Sequence, residues 1–98
     1  GGIRMNKIFV YGILRDCYDY TPATLNGYKK FYRTHATIVE DIENIVEGQL
    51  IEVDDEEFRQ IDRIEGNGSY YWRFETTCDT DKGSEDCWVY QQIMDKTE

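Results

Sequence analysis

Positive charge, proline, histidine and long apolar runs are all scarce in this 98-residue chain, and each scarcity closes off a class of function. Eleven Lys and Arg stand against twenty Asp and Glu, a formal net charge of −9. That charge repels phosphate backbones and anionic lipid, so neither a nucleic-acid partner nor a membrane partner is expected. No apolar segment approaches the ~20 residues of a spanning helix, and no basic stretch leads into an apolar one as in a signal peptide, so a cytoplasmic protein is expected. The single histidine, His35, has no thiol at metal-ligand spacing, and Cys17, Cys78 and Cys87 form neither a Cys-x-x-Cys pair nor an even framework. No metal is expected. Cys78 and Cys87 are read either as partners across a hairpin or, in preference, as reduced, half-buried thiols. What the chain does have is 40% hydrophobic and 14% aromatic residues, the composition of a packed, strand-rich domain. Its length closes one core, so any site must be built on that core's rim. The domain is read as residues 5–98, with residues 1–4 set aside because Met5 is a natural initiator.

Residues 7–11 (Lys-Ile-Phe-Val-Tyr) carry apolar side chains on both faces, as a central strand does, and Gly12 permits a tight turn after them. The polar, Pro-containing stretch 16–27 reads as a loop overhanging a pocket. Strands are expected over 28–34, 36–40 and 45–53, with a turn at 41–44. Asp54 opens a helix over 55–65: it caps free N–H groups, Glu57 completes a capping box, and Gly66, Asn67 and Gly68 stop it. Residues 70–78 and 86–93 read as a strand pair around a hairpin loop at 79–85.

On a helical wheel with Phe58 at zero, Ile61 falls at about 300°, Ile64 at about 240° and Glu65 at about 340°. Glu65 thus lies inside the apolar arc, and in the last turn it also meets the negative end of the helix dipole. Both effects raise a carboxyl pKa and suit a general acid/base. The competing readings are a helix frayed at Ile64, or a buried pair of Glu65 with Arg73 or Arg63. Glu57, at about 260°, is accounted for by capping, and Asp62, at about 40°, is read as a solvated neighbour. Tyr11-Gly12-Ile13-Leu14 is either a nest of main-chain N–H groups for an anion or a strand that ends at a glycine.

Four segments stand in order: Phe-Val-Tyr-Gly-Ile-Leu-Arg, Val-Glu-Gly-Gln-Leu-Ile-Glu-Val, Ile-Asp-Arg-Ile-Glu-Gly followed by Tyr71-x-Arg73, and Cys-Trp-Val-Tyr. This order resembles the gamma-glutamylcyclotransferase-like family, in particular its gamma-glutamylamine cyclotransferase and avirulence-induced plant protein branch, over residues 7–91. The resemblance implies an α+β fold, a small mixed β-barrel with one main helix beside its mouth. It implies release of an amine or amino acid from a gamma-glutamyl compound, with the glutamyl part closing to 5-oxoproline, without a cofactor. By the same resemblance Glu65 is the proton carrier, Tyr11, Gly12, Ile13 and Leu14 form the substrate turn, and Tyr71 and Arg73 belong to the strand after the glutamate, Tyr71 lining the pocket and Arg73 either lining it or serving as a structural residue. Ile13 departs from the family's Ser or Thr and puts substrate choice in question. The rival reading is a non-catalytic small-ligand binder on the same fold, with Tyr70, Tyr71 and Trp72 stacking on the ligand. Oligomeric state is left open.

Overall fold

The computed structural model describes residues 5–11, 20–33, 35–65 and 71–92, with the backbone alone for Arg33, His35, Ala36 and Glu65. Alternating small and apolar residues set the strands. β1 (Asn6–Val10) turns Ile8 and Val10 to one side and Phe9 to the other, and all three are buried. β2 (Tyr20–Arg33) and β3 (His35–Val53) form a long antiparallel hairpin. β4 (Tyr71–Thr80) and β5 (Gly83–Gln92) form a second one. α1 (Asp55–Glu65) lies between the two hairpins in sequence. The strands close into a barrel in the order β1-β3-β2-β4-β5, with β5 returning parallel to β1 and the other pairings antiparallel. This is the small mixed barrel with one helix that the resemblance implied.

Three boundaries differ from the sequence reading. The expected loop at 16–27 is strand from Tyr20 onward: Ala23 and Leu25 are buried while Pro22 and Asn26 face out, a two-residue period that small and polar residues disguise. Pro22 fits because its pairing is with Gln49 of β3, while β4 meets β2 at Thr24. Residues 41–44 do not divide the strand. The register jumps from Asn26↔Ile45 to Tyr28↔Glu40, so these four residues bulge opposite Gly27, which takes φ 88°. The 79–85 loop shrinks to the turn Asp81-Lys82, because Asp79 and Thr80 pair with Ser84 and Gly83.

Two apolar clusters result. Inside the barrel Phe9, Leu25, Ile38, Leu50, Cys78 and Val89 pack together. Outside it Ile8, Val10, Ile51 and Val53 meet Phe58 and Ile61 of α1, with Tyr90 of β5. β3 passes so close to β1 that a Cβ on Gly48 would overlap the Val10 carbonyl oxygen. Cys78 and Cys87 are both free and buried, more deeply than the half-buried thiols expected. No helix among the described residues is long and apolar enough to cross a membrane.

Candidate active site at one end of the barrel

The start of α1 fixes its direction. Asp54 Oδ1 accepts from the Glu57 N–H at 2.8 Å and Glu57 Oε1 from the Asp54 N–H at 2.9 Å, the reciprocal capping box expected from sequence. Asn6 Nδ2 donates to Asp55 Oδ1 at 2.8 Å, tying this end of the helix to the start of β1. One turn on, the Phe58 ring lies 5.8 Å from that of Trp88, which is level with Ile8 of β1. Another turn on, Asp62 meets Tyr90, two residues further along β5. The helix therefore climbs beside β1 and β5 in their own direction. Its last residue, Glu65, lies about 4.5 Å beyond Asp62 along the axis, at the end where β1 runs out into Tyr11, β5 ends at Gln92, and Gln92 pairs with Tyr71 at the start of β4.

The backbone thus brings the helix end, Tyr11 and Tyr71 to one end of the barrel. Gly12, Ile13, Leu14 and Tyr70 lie outside the described residues, as does the side chain of Glu65. Tyr11 packs on the inner cluster, its ring centroid 6.5 Å from that of Phe9, and its hydroxyl donates to the Tyr90 carbonyl oxygen. Its own carbonyl oxygen accepts from Lys30 Nζ at 2.9 Å. Tyr71 packs against the cluster beneath the helix. Gln92 donates its N–H to Thr37 Oγ1 at 2.8 Å, and its buried Oε1 has no hydrogen-bond partner among the described residues.

Arg73 sits one step inward. Its guanidinium carbon is 4.2 Å from the Phe58 ring centroid and 4.4 Å from that of Trp88, and its Nε donates to Asp62 Oδ1 at 2.9 Å. The same Asp62 oxygen accepts the Tyr90 hydroxyl. Asp62, read from the wheel as a solvated neighbour, is thus corrected to a side chain only 20% exposed, held by two donors from two strands. The buried arc of α1 is centred nearer Phe58 than the wheel assumed: Ile64, expected inside it, is 72% exposed. Arg73, one of the two arginines considered as a partner for Glu65, gives its Nε to Asp62. Sequence reasoning passed over Lys30 and Tyr90 and took Asp62 for a solvated residue. The usable signal was that Asp62 precedes Glu65 by three residues, close to one helical turn, and faces strands carrying donors.

A concavity of about 430 Å³ lies at the opposite end of β1 and is lined by Met5, Lys7, Glu75, Ser84, Glu85 and Trp88 among others. There Glu85 Oε1 accepts from Lys7 Nζ at 2.6 Å, and this bond holds the Lys7 ammonium above its ordinary pKa. No metal-binding group of His, Cys, Asp or Glu occurs among the described residues.

Barrel, flanking helix and strand order define the gamma-glutamylcyclotransferase-like fold, which solved structures share. A solution structure from Arabidopsis thaliana superposes with a TM-score of 0.79 at 22% identity, over 99% of this chain and 76% of that one. A structure named gamma-glutamyl cyclotransferase gives 0.77 at 18% identity, over 92% of this chain and 68% of that one. In sequence, a Methanocaldococcus jannaschii protein provisionally named a gamma-glutamylcyclotransferase is 32% identical over 101 residues, covering 88% of this chain and 83% of its own. Residues 8–98 match the family model described as gamma-glutamyl cyclotransferase, AIG2-like, and the chain belongs to that family.

Proposed function

We propose that this protein is a cyclotransferase that acts on a gamma-glutamyl compound, with Glu65 carrying the proton. The observation that supports it most is the course of α1, whose last residue arrives where β1 runs out into Tyr11 and β4 begins at Tyr71. Glu65 takes a proton from the substrate's α-ammonium. The freed amine attacks the side-chain carbonyl carbon, closing a five-membered ring. As the former amide C–N bond breaks, Glu65 returns that proton to the departing nitrogen, and the second proton shed by the ring nitrogen passes through the same carboxylate to the released amine, so that 5-oxoproline and an ammonium remain. Main-chain N–H groups of the turn at Gly12, Ile13 and Leu14 hold the substrate and face the developing oxyanion, and Tyr71 and Arg73 flank the pocket. Every bond change in this scheme uses the substrate and one carboxylate, so the reaction proceeds without a cofactor.

The test is incubation with a panel of gamma-glutamyl amines and dipeptides, with 5-oxoproline detected by mass spectrometry. Turnover is expected for at least one substrate and is expected to fall by about 100-fold or more in Glu65→Gln, with the circular dichroism spectrum unchanged. Tight binding without product in both proteins contradicts catalysis and favours the non-catalytic ligand binder, a reading that Ile13 in place of a hydroxyl residue supports.

A further inference from the structure

We infer that Asp62 is a positioning residue that sets the place of Glu65. This inference rests on the reading of Glu65 as the proton carrier. Three observations carry it. First, Asp62 is in the last turn and a half of α1, and a helix end has no continuing backbone ladder to hold it, so its position depends on side-chain ties. Second, the aliphatic hold weakens there: Phe58 and Ile61 are buried, whereas Ile64 is 72% exposed. Third, a polar tie among the described residues reaches two strands, since one Asp62 oxygen takes both Arg73 Nε of β4 and the Tyr90 hydroxyl of β5.

The tie also runs on to the substrate turn. Tyr90 presents its hydroxyl to Asp62 and its carbonyl oxygen to the Tyr11 hydroxyl. Tyr11 in turn precedes Gly12. One chain of hydrogen bonds therefore joins the helix end to the residue that opens the turn, through groups that do not touch the reacting atoms. Arg73 cannot drift, because the rings of Phe58 and Trp88 hold its guanidinium while Asp62 fixes its edge. The spacing between the last turn of α1 and Tyr11 is accordingly set by Asp62, and a misplacement of a proton carrier near 1 Å costs about 100-fold in rate.

Asp62→Ala and Asp62→Asn separate positioning from stability. In Asp62→Ala, kcat for 5-oxoproline release is expected to fall about 10- to 100-fold while KM stays within about threefold, at a temperature where circular dichroism reports full folding. Asp62→Asn retains a side-chain oxygen that accepts from both donors, and this variant is expected to recover most of kcat. Amide hydrogen exchange, which needs no activity, is read on the same proteins: Asp62→Ala is expected to speed exchange at residues 62–65 and leave Glu57 and Phe58, whose N–H groups bond Asp54, as protected as in the parent. A folded Asp62→Ala with kcat within twofold of the parent, or exchange that speeds evenly along the helix, overturns the inference. If the parent releases no 5-oxoproline, the reading of Glu65 fails, and the exchange pattern alone decides the role of Asp62.

Discussion

Two buried thiols show how much the barrel interior dictates single residues. Cys78 and Cys87 lie among apolar side chains, and burial pushes both thiols above their ordinary pKa, Cys87 the further. Because the folded values exceed the unfolded ones, their contribution to stability is intact below pH about 9 and is lost as pH rises further. Lys7, raised by its bond to Glu85, and Tyr28, raised by burial, act in the same direction at higher pH. Urea unfolding at pH 7 and pH 10 is expected to show a lower midpoint at the higher pH, with a smaller drop when both cysteines are replaced by Ala. Iodoacetamide at neutral pH is expected to leave Cys78 and Cys87 unmodified in the native protein and to label both in denaturant, as read by peptide mass spectrometry. Gly48 is constrained by the neighbouring strand, since a methyl group there meets backbone at Val10 and ring at Phe9. Gly48→Ala is expected to cost about 1–3 kcal/mol by overpacking, measurable by thermal unfolding.

At the scale of elements, α1 was the most legible piece. Its capping residues act within four positions of one another, so Asp54 and Glu57 announced the start, and Asp55 to Glu65 is the helix that formed. Asp54→Ala is expected to destabilise the protein by about 1 kcal/mol, visible as a lower denaturant midpoint with an unchanged slope. The hairpins were less legible, because their pairing is a property of two distant segments. Residues 20–26 look like loop until Ile45 to Ile51 lie alongside them, and residues 41–44 look like a turn until Gly27 is found opposite. The same non-locality hid Asp62. A wheel assigns each residue a direction from its own helix, whereas Asp62 is held inward by an arginine eleven and a tyrosine twenty-eight residues away.

At the scale of the whole molecule, the closed barrel has two ends with different chemistry. One end gathers Lys7, Glu75 and Glu85 around a polar cleft. The other gathers the ends of β1, β5 and α1 and the start of β4. The order of the chain points to the second end as the candidate site, since Tyr11 and the last turn of α1 lie on segments that only the barrel's closure brings together. What the sequence left unread was the polar chain from Tyr11 through Tyr90 and Asp62 to Arg73 that spans them. The most direct test of this placement is a two-dimensional ¹H–¹⁵N NMR titration of Glu65→Gln, expected to bind with turnover suppressed, with a gamma-glutamyl amine. Shifts confined to Tyr11 and the turn after it, the last turn of α1, Tyr71, Arg73 and Gln92 are the predicted result. Shifts confined to Lys7, Glu75 and Ser84 to Trp88 would contradict it.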